Sequence, residues 1–391
     1  MLAFTFPGQG SQRPGMGRPW ADQESWELVE EASTYAERDV ARLLLDADAE
    51  ELKDTRNAQL CTFVTSLMVL DAVERLGIEP SYCAGHSLGE YTALAASGAL
   101  SFDDGVRLVC ERAEAMHEAG IDNPGTMAAV LGLDDEDVEI ACRRADNDVW
   151  VANFNAPGQV VIAGSAEGVA AAGAVAKELG AKKVMPLPVS GAFHTPYMSP
   201  ARDRLRKAIA EANPRDTEVP IISNVDALPH DRGQEWASLL SAQLTSPVRW
   251  KHCLLELEDQ GVTDYVELGP GGVLTGMTKR SVDAARTLSV AIPDELDKLL
   301  DFIDAAKPLM PVPHEGEHLF AVERVVVSPA AGLFTPVGGI GGGTVIGVGD
   351  VLGHVADQEV RSPFAGVLQS YIAMDGERVT LRQPIAWLRS S

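Results

Sequence analysis

The sequence predicts an α/β layer fold with a largely parallel sheet, a small inserted β-α-β-β-α-β unit, and a separate all-β unit at the C-terminus. Three observations predict it. Short apolar runs end in Gly-rich turns and lead into helical patterns through the first part of the chain. The rhythm changes to closely spaced strands between about 125 and 189, and helical periodicity is lost beyond a Pro-rich stretch at 308–324.

Taken in order, Leu2 to Phe6 reads as a buried strand followed by the turn Pro7-Gly8-Gln9-Gly10-Ser11-Gln12. Leu60 to Leu76 carries Phe63, Val64, Leu67, Met68, Leu70, Val73 and Leu76 at helical spacing. Tyr82-Cys83-Ala84-Gly85 is a second short strand that feeds a helix after Gly89, and a further helix starts near Ser101. Thr126 to Gly132, Val149 to Phe154, Gln159 to Ala163 and Lys183 to Leu187 read as strands. Asp134 to Arg144 and Ala166 to Leu179 read as helices. That order is the ferredoxin-like pattern, small enough to be an insertion. Helical and strand patterns then resume up to about Ala306.

Pro308, Pro311, Pro313 and Gly316 give the next stretch a linker composition. Beyond it, Ser328-Pro329-Ala330-Ala331-Gly332-Leu333-Phe334 returns 34 residues later as Ser362-Pro363-Phe364-Ala365-Gly366-Val367-Leu368. Gly343 to Val355 likewise echoes Gly376 to Leu388. Two copies of a strand-turn unit predict a small pseudo-symmetric β barrel or sandwich.

With 391 residues the chain is long enough for two or three domains of about 100–200 residues each. Asp and Glu number 57 against 32 Lys and Arg, a formal charge of −25. A field of that sign repels nucleic acid and anionic lipid, which makes both poor candidates for principal partners. The five cysteines, Cys61, Cys83, Cys110, Cys142 and Cys253, are scattered and never form a C-x-x-C pair, so buried thiols in a reducing compartment are expected. The start of the chain has no basic n-region, and no apolar run approaches the ~20 residues of a membrane span. A cytoplasmic protein is expected.

Gly85-His86-Ser87-Leu88-Gly89 is a G-x-S-x-G pentapeptide between a strand and a helix. In such an elbow the glycines relieve crowding and the serine hydroxyl projects at a helix N-terminus, where the end amides favour developing negative charge. A serine needs a base to accept its proton. Of eight histidines, His314, His318, His354 and His230 fall in linker, C-terminal or turn segments, and His86 points elsewhere from the elbow. His194, in Gly191-Ala192-Phe193-His194-Thr195-Pro196, lies in a loop between strand and helix; spacing alone does not choose it over His117 or His252. Arg112 sits on a helix with the apolar stripe Val106, Val109, Cys110, Ala113 and Met116, and taken alone reads as solvated or ion-paired. The Gly8-Gln9-Gly10 turn either carries an oxyanion donor or joins a strand to the next element.

Four motifs occur in one order: Phe6-Pro7-Gly8-Gln9-Gly10-Ser11-Gln12, Gly85-His86-Ser87-Leu88-Gly89-Glu90-Tyr91, Gly191-Ala192-Phe193-His194 and Val266-Glu267-Leu268-Gly269-Pro270-Gly271. Together they closely resemble the malonyl-CoA:acyl carrier protein transacylases, relatives of polyketide synthase acyltransferase domains, from residue 1 to about 305. The resemblance implies a hydrolase-like α/β acyltransferase core and a ping-pong reaction. In it Ser87 is the nucleophile, His194 the base, and the Gln243 main-chain carbonyl orients His194. It also implies oxyanion donors at the Gln9 and Leu88 amides. Arg112 would grip the malonyl carboxylate, and Phe193 would favour malonyl over α-branched units. The implied partners are acyl-CoA and an acyl carrier protein that brings its own phosphopantetheine. No cofactor or metal of the chain's own is expected.

The C-terminal repeats and Gly349-Asp350-Val351-Leu352 resemble biotinyl/lipoyl carrier domains, which modify a lysine at a hairpin tip. The matching stretch here is His354-Val355-Ala356-Asp357-Gln358-Glu359-Val360-Arg361, and no lysine follows Lys307. A binding or packing module is expected instead.

The expected organisation is an acyltransferase subdomain over 1–124 and 190–306, a ferredoxin-like subdomain over 125–189, a linker over 307–324 and a β domain over 325–391. The active site is expected in the cleft between the first two. Basic clusters at Arg202-Arg204-Arg206-Lys207, Lys182-Lys183 and Lys279-Arg280 are candidates to dock an acidic carrier. Two rival functions share these residues in part: a hydrolase that clears acyl groups from the carrier, and a non-catalytic scaffold.

Overall fold

The computed structural model describes residues 1–189, 191–306, 323–356, 358–380 and 382–389. It is a mixed α/β protein that divides into two units, Met1–Lys307 and Pro308–Ser391. In the first, β1 (Leu2–Phe6) is buried from Ala3 onward, as expected of a strand covered on both faces. The helices α1 (Glu27–Ala36), α2 (Val40–Asp46) and α3 (Thr55–Glu74) follow. Asp39 and Asp54 accept the Arg42 and Arg56 amides at the starts of α2 and α3, satisfying donors that a helix end leaves open. Next come β2 (Tyr82–Gly85), α4 (Leu88–Ala96) and α5 (Phe102–Asp122), with Ser101 capping α5.

The segment that follows runs β3 (Thr126–Leu131), α6 (Asp135–Arg144), β4 (Val149–Ala156), β5 (Gln159–Gly164), α7 (Ala166–Glu178) and β6 (Lys183–Pro186). Its four strands form an antiparallel sheet in the order β4-β5-β3-β6. The two-residue period of β3 divides its side chains. Ala128 and Val130 pack with α6 and α7, whereas Met127 and Ala129 join the main core. A bridge between Asn153 and Val248 helps tie β4 to the larger layer.

The chain returns to that layer with α8 (Ser199–Ala212), β7 (Ile221–Ile222), β8 (Pro229–His230), α9 (Gly233–Gln243) and α10 (Trp250–Asp259). It closes with β9 (Asp264–Leu268), α11 (Val273–Ser281), β10 (Arg286–Val290) and α12 (Leu296–Ala306). The main sheet has the order β10-β9-β1-β2-β7-β8 and is parallel except for β8 at its edge. The register of β1 on β2 matters most for the site. Phe6 lies opposite Gly85, so both strands end together and their following turns meet. Among the described residues no helix is long and apolar enough to cross a membrane.

The second unit holds β11 (Glu323–Val327), β12 (Gly332–Pro336), β13 (Val345–Ile346), β14 (Val351–Val355), β15 (Gln358–Arg361), β16 (Gly366–Tyr371), β17 (Arg378–Val379) and β18 (Pro384–Arg389). Two sheets, β11-β18-β16-β13 and β15-β14-β12-β17, enclose a core that includes Val326, Phe334, Leu352, Leu368 and Ile385. The sequence repeat persists in the hydrogen bonding: Ser328 Oγ donates to the Ala330 carbonyl at 2.6 Å, and Ser362 Oγ to the Phe364 carbonyl at 2.7 Å. The first strand starts at Glu323, two residues inside the linker expected over 307–324; residues 307–322 lie outside the described residues. Because each unit has its own core, a chain ending at Lys307 is expected to remain folded and to keep in full the acyl transfer that the sequence resemblance implies. Circular dichroism melting and an acylation assay check this; an insoluble or inactive truncation would make the second unit part of the first unit's core.

Candidate active site

The site begins at the end of β2. Ser87 is the residue before α4 and adopts φ 54° and ψ −102°, a backbone region that non-glycine residues rarely occupy. Glycine is required on both sides of it. A Cβ at Gly85 would lie 1.9 Å from the Gly89 carbonyl carbon, and one at Gly89 would lie 2.0 Å from the Phe6 carbonyl oxygen. The Leu88 amide is the first of α4, where the helix supplies no acceptor for it. Because β1 and β2 end together, Gln9 in the turn after β1 lines the same cavity of about 190 Å³ as Ser87, Phe193 and His194. The Gln9 side chain is held aside, its Oε1 accepting from Thr55 Oγ1 at 2.8 Å.

His194 comes from the loop before α8, with φ 62° and 5% exposure. Its Nδ1 is 2.8 Å from the Gln243 main-chain oxygen, and its Nε2 is 2.8 Å from Ser87 Oγ. A carbonyl only accepts, so Nδ1 carries the proton and Nε2 presents a lone pair to the serine hydroxyl. Burial, and then the charge of Arg112, pull the imidazole down to about 3, so it stands as a neutral base. The burial of Arg112 is nearly complete, at 1% exposure. Its Nη1 donates to Gln59 Oε1 at 2.5 Å, and its Nη2 donates to Gln243 Oε1 and to Ser87 Oγ, each at 3.0 Å. The guanidinium also lies 5.0 Å from the Tyr91 ring centroid. Its Nε has no hydrogen-bond partner among the described residues.

Ser87, His194, Gln243 and Arg112 are thus joined by direct hydrogen bonds, and Gln9 and Phe193 share the cavity beside them. Arg112 differs from its isolated reading as a solvated arginine. The helix α5 packs against α1, α3, α4 and α8, so an arginine beside its apolar stripe is also covered. His117 and His252 have no hydrogen bond to Ser87. His86 sits nearer than expected: its Nε2 is 2.9 Å from Asn155 Oδ1, and it lines the cavity. Sequence reasoning missed Gln59, Glu90, Asn155 and Asn224, whose partners in the site lie 53 to 153 positions away. Glu90 alone had a signal, as the residue that follows the pentapeptide. A second cavity, of about 680 Å³, reaches His194 from the side of Trp150, Thr245 and Arg249.

Of the basic clusters, α8 is partly neutralised, because Arg204 pairs with Glu111 and Glu118. The other two converge. Lys182 packs against Gly132, the Gly132 amide donates to the Gly158 carbonyl at 2.7 Å, and Arg280 donates to the neighbouring Gln159 at 2.5 Å. The cluster lies at the end of α11, whose Val273 and Met277 line the cavity.

A serine on a strand-to-helix elbow, bonded to a buried neutral histidine, defines the class: an α/β protein with a site equipped for acyl chemistry on a hydroxyl. The chain belongs to the acyl transferase domain family, whose model matches residues 3–303. It is 42% identical over 301 residues to the malonyl CoA-acyl carrier protein transacylase of Bacillus subtilis, covering 76% of this chain and 95% of that protein. The Escherichia coli K12 protein of the same name is 41% identical over 309 residues, covering 77% and 99%. A solved acyl carrier protein S-malonyltransferase from Vibrio cholerae has 39% identity and a TM-score of 0.74, covering 76% of this chain and 99% of that one. A holo type II polyketide acyl carrier protein has been solved in complex with its malonyl-transacylase. That structure shows 36% identity and a TM-score of 0.74, with 77% and 99% covered.

Proposed function

We propose that this chain transfers a malonyl group from CoA to the phosphopantetheine thiol of an acyl carrier protein, by way of an ester on Ser87, in fatty acid or polyketide synthesis. One observation carries the reading: a single hydroxyl is held by His194 Nε2 at 2.8 Å and by the Arg112 guanidinium at 3.0 Å. The serine oxygen attacks the thioester carbonyl while its proton passes to His194 Nε2. The oxyanion that forms takes hydrogen bonds from the Gln9 and Leu88 amides, donors of a kind worth about 10²–10³ in rate. Collapse expels CoA as a thiolate, which takes the proton from His194. The carrier thiol then gives its proton to the same nitrogen and attacks the ester, and the proton returns to Ser87. The Gln243 carbonyl holds His194 in the required tautomer throughout.

Arg112 supplies the cation for the free malonyl carboxylate, which a planar guanidinium matches in a bidentate fork. Phe193 narrows the cavity beside the base, favouring malonyl over α-branched units. The chain needs no cofactor of its own, since the acyl group arrives on CoA and the acceptor arm belongs to the carrier. Five free cysteines, Cys61, Cys83, Cys110, Cys142 and Cys253, support a cytoplasmic location.

The four-stranded β3–β6 segment we read as a ferredoxin-like subdomain, its order β4-β5-β3-β6 and two covering helices supporting this. The second unit we read as a biotinyl/lipoyl-like barrel-sandwich. The hairpin of β14 and β15 turns at Ala356 (φ 51°), and no lysine is present from Pro308 to Ser391, so an amide-linked swinging arm has no attachment point. It serves as a docking or packing module.

Malonyl-CoA labelled in the acyl group, incubated with holo-carrier, tests the reading. Labelled carrier is expected, whereas free malonate without labelled carrier would make the chain a hydrolase. The retained Arg112 favours transfer, because water as acceptor gives no reason to grip a carboxylate. The basic cluster gives a further expected result. Lys279→Glu with Arg280→Glu should raise KM for the carrier about tenfold and leave acylation by malonyl-CoA unchanged, because rim charges steer encounter rather than chemistry. An unchanged KM would move the docking face elsewhere.

A further inference from the structure

Ser87 and His194 both hold positive φ angles, and strained conformations of that kind persist only where the surroundings enforce them. For Ser87 the enforcing groups can be traced. Its amide donates to Asn224 Oδ1 at 2.7 Å, and its carbonyl accepts from Gln243 Nε2 at 2.9 Å. Both partners end on one carboxylate, Glu90, which is fully buried. Glu90 Oε1 accepts the Asn224 amide at 2.7 Å, and Oε2 accepts the Gln243 side-chain amide. Asn224 is locked from its other end by donating to the Gly85 carbonyl at 2.7 Å. Gln243 in turn orients His194 through its carbonyl and Arg112 through Oε1.

We propose that Glu90 is a positioning residue: with Asn224 and Gln243 it forms a bracket that fixes both peptide groups of Ser87 and, through Gln243, the imidazole and guanidinium above it. The bracket rests on the acyl transfer at Ser87 proposed above. Its chemistry requires a carboxylate. Two separate N–H donors converge on Glu90, and only an ionised carboxyl offers an acceptor to each without presenting a donor to either. Burial pushes the Glu90 carboxyl up to about 7, opposed by those two donors and by the Arg112 charge. A group maintained there for packing alone would be served as well by a neutral isostere, which removes a desolvated charge.

The isostere is therefore the test. In Glu90→Gln the side-chain NH₂ must face either the Asn224 amide or the Gln243 NH₂, and one arm of the bracket is lost. Quenched-flow acylation of the full-length protein by malonyl-CoA and by acetyl-CoA is compared with wild type, together with thermal melting. Acylation is expected to fall about 10–100-fold for both substrates, with KM held within about threefold and melting retained. A folded Glu90→Gln chain acylated within about twofold of wild type, or one changed only in KM, overturns the proposal. Asn224→Ala removes the Ser87 arm without touching the buried charge and decides the matter if Glu90→Gln fails to fold. It should lose about tenfold or more with both substrates, and a loss under about twofold overturns the bracket. Wild type that forms no malonyl-Ser87 ester would defeat the functional reading itself, a result distinct from a labelled wild type beside an unaffected Glu90→Gln.

Discussion

Replacing Ser87 with alanine is expected to abolish the acyl-enzyme and to lower malonyl transfer on the order of 10⁶-fold, the scale seen when a nucleophile of this type is removed. Without the hydroxyl the two half-reactions have no shared intermediate. The carrier thiol would have to meet malonyl-CoA directly in a cavity of about 190 Å³. The fold should be indifferent to the change. The bonds that hold the elbow run from the Ser87 amide and carbonyl, which alanine retains, and both residues pay a similar penalty at φ 54°. Intact-protein mass spectrometry after exposure to malonyl-CoA should show no adduct while the melting temperature is preserved. A Ser87→Ala chain that still transfers at more than about a thousandth of the wild-type rate would remove Ser87 as the nucleophile.

Arg112→Ala is the second large effect. Truncating one partner of a buried charge pair costs about 3–5 kcal/mol, because the other charge is left desolvated. At 1.36 kcal/mol per tenfold this corresponds to a loss of roughly 10²–10⁴ in malonyl transfer. Acetyl-CoA presents a methyl group where malonyl presents a carboxylate, so it escapes that penalty. The same substitution leaves Gln59 Oε1 and Gln243 Oε1 without their donor, which disturbs His194 and slows both substrates alike. The ratio of malonyl to acetyl acylation therefore isolates the carboxylate effect from the positioning effect. A fall in that ratio of about 100-fold or more is expected. An unchanged ratio would take Arg112 out of the acyl pocket.

Much of the fold was legible because its signals are local. The strand at Leu2–Phe6, the elbow at Gly85–Gly89 and the strands and helices along the 126–186 segment each depend on a few adjacent residues, and their limits move by only a residue or two. The start of the second unit was less legible. Glu323 and Arg324 are charged, and charge at the start of a segment does not by itself separate an edge strand from a linker. Arg112 misled for a related reason. Helical periodicity reports one buried face, whereas α5 is packed on several sides.

The sequence by itself determined the setting of Ser87: a serine between two glycines after a buried strand has one compact way to turn into a helix. It also determined, through four motifs in one order, the family to which the chain belongs. Only the tertiary structure decided which histidine meets that serine, that Arg112 is buried beside it, and that Asn224 and Gln243, both bonded to Glu90, take up its peptide groups. The physical reason is range. A turn is fixed by sterics within a few residues, whereas a hydrogen bond between Ser87 and a loop 107 positions away exists only after the sheet has set its register.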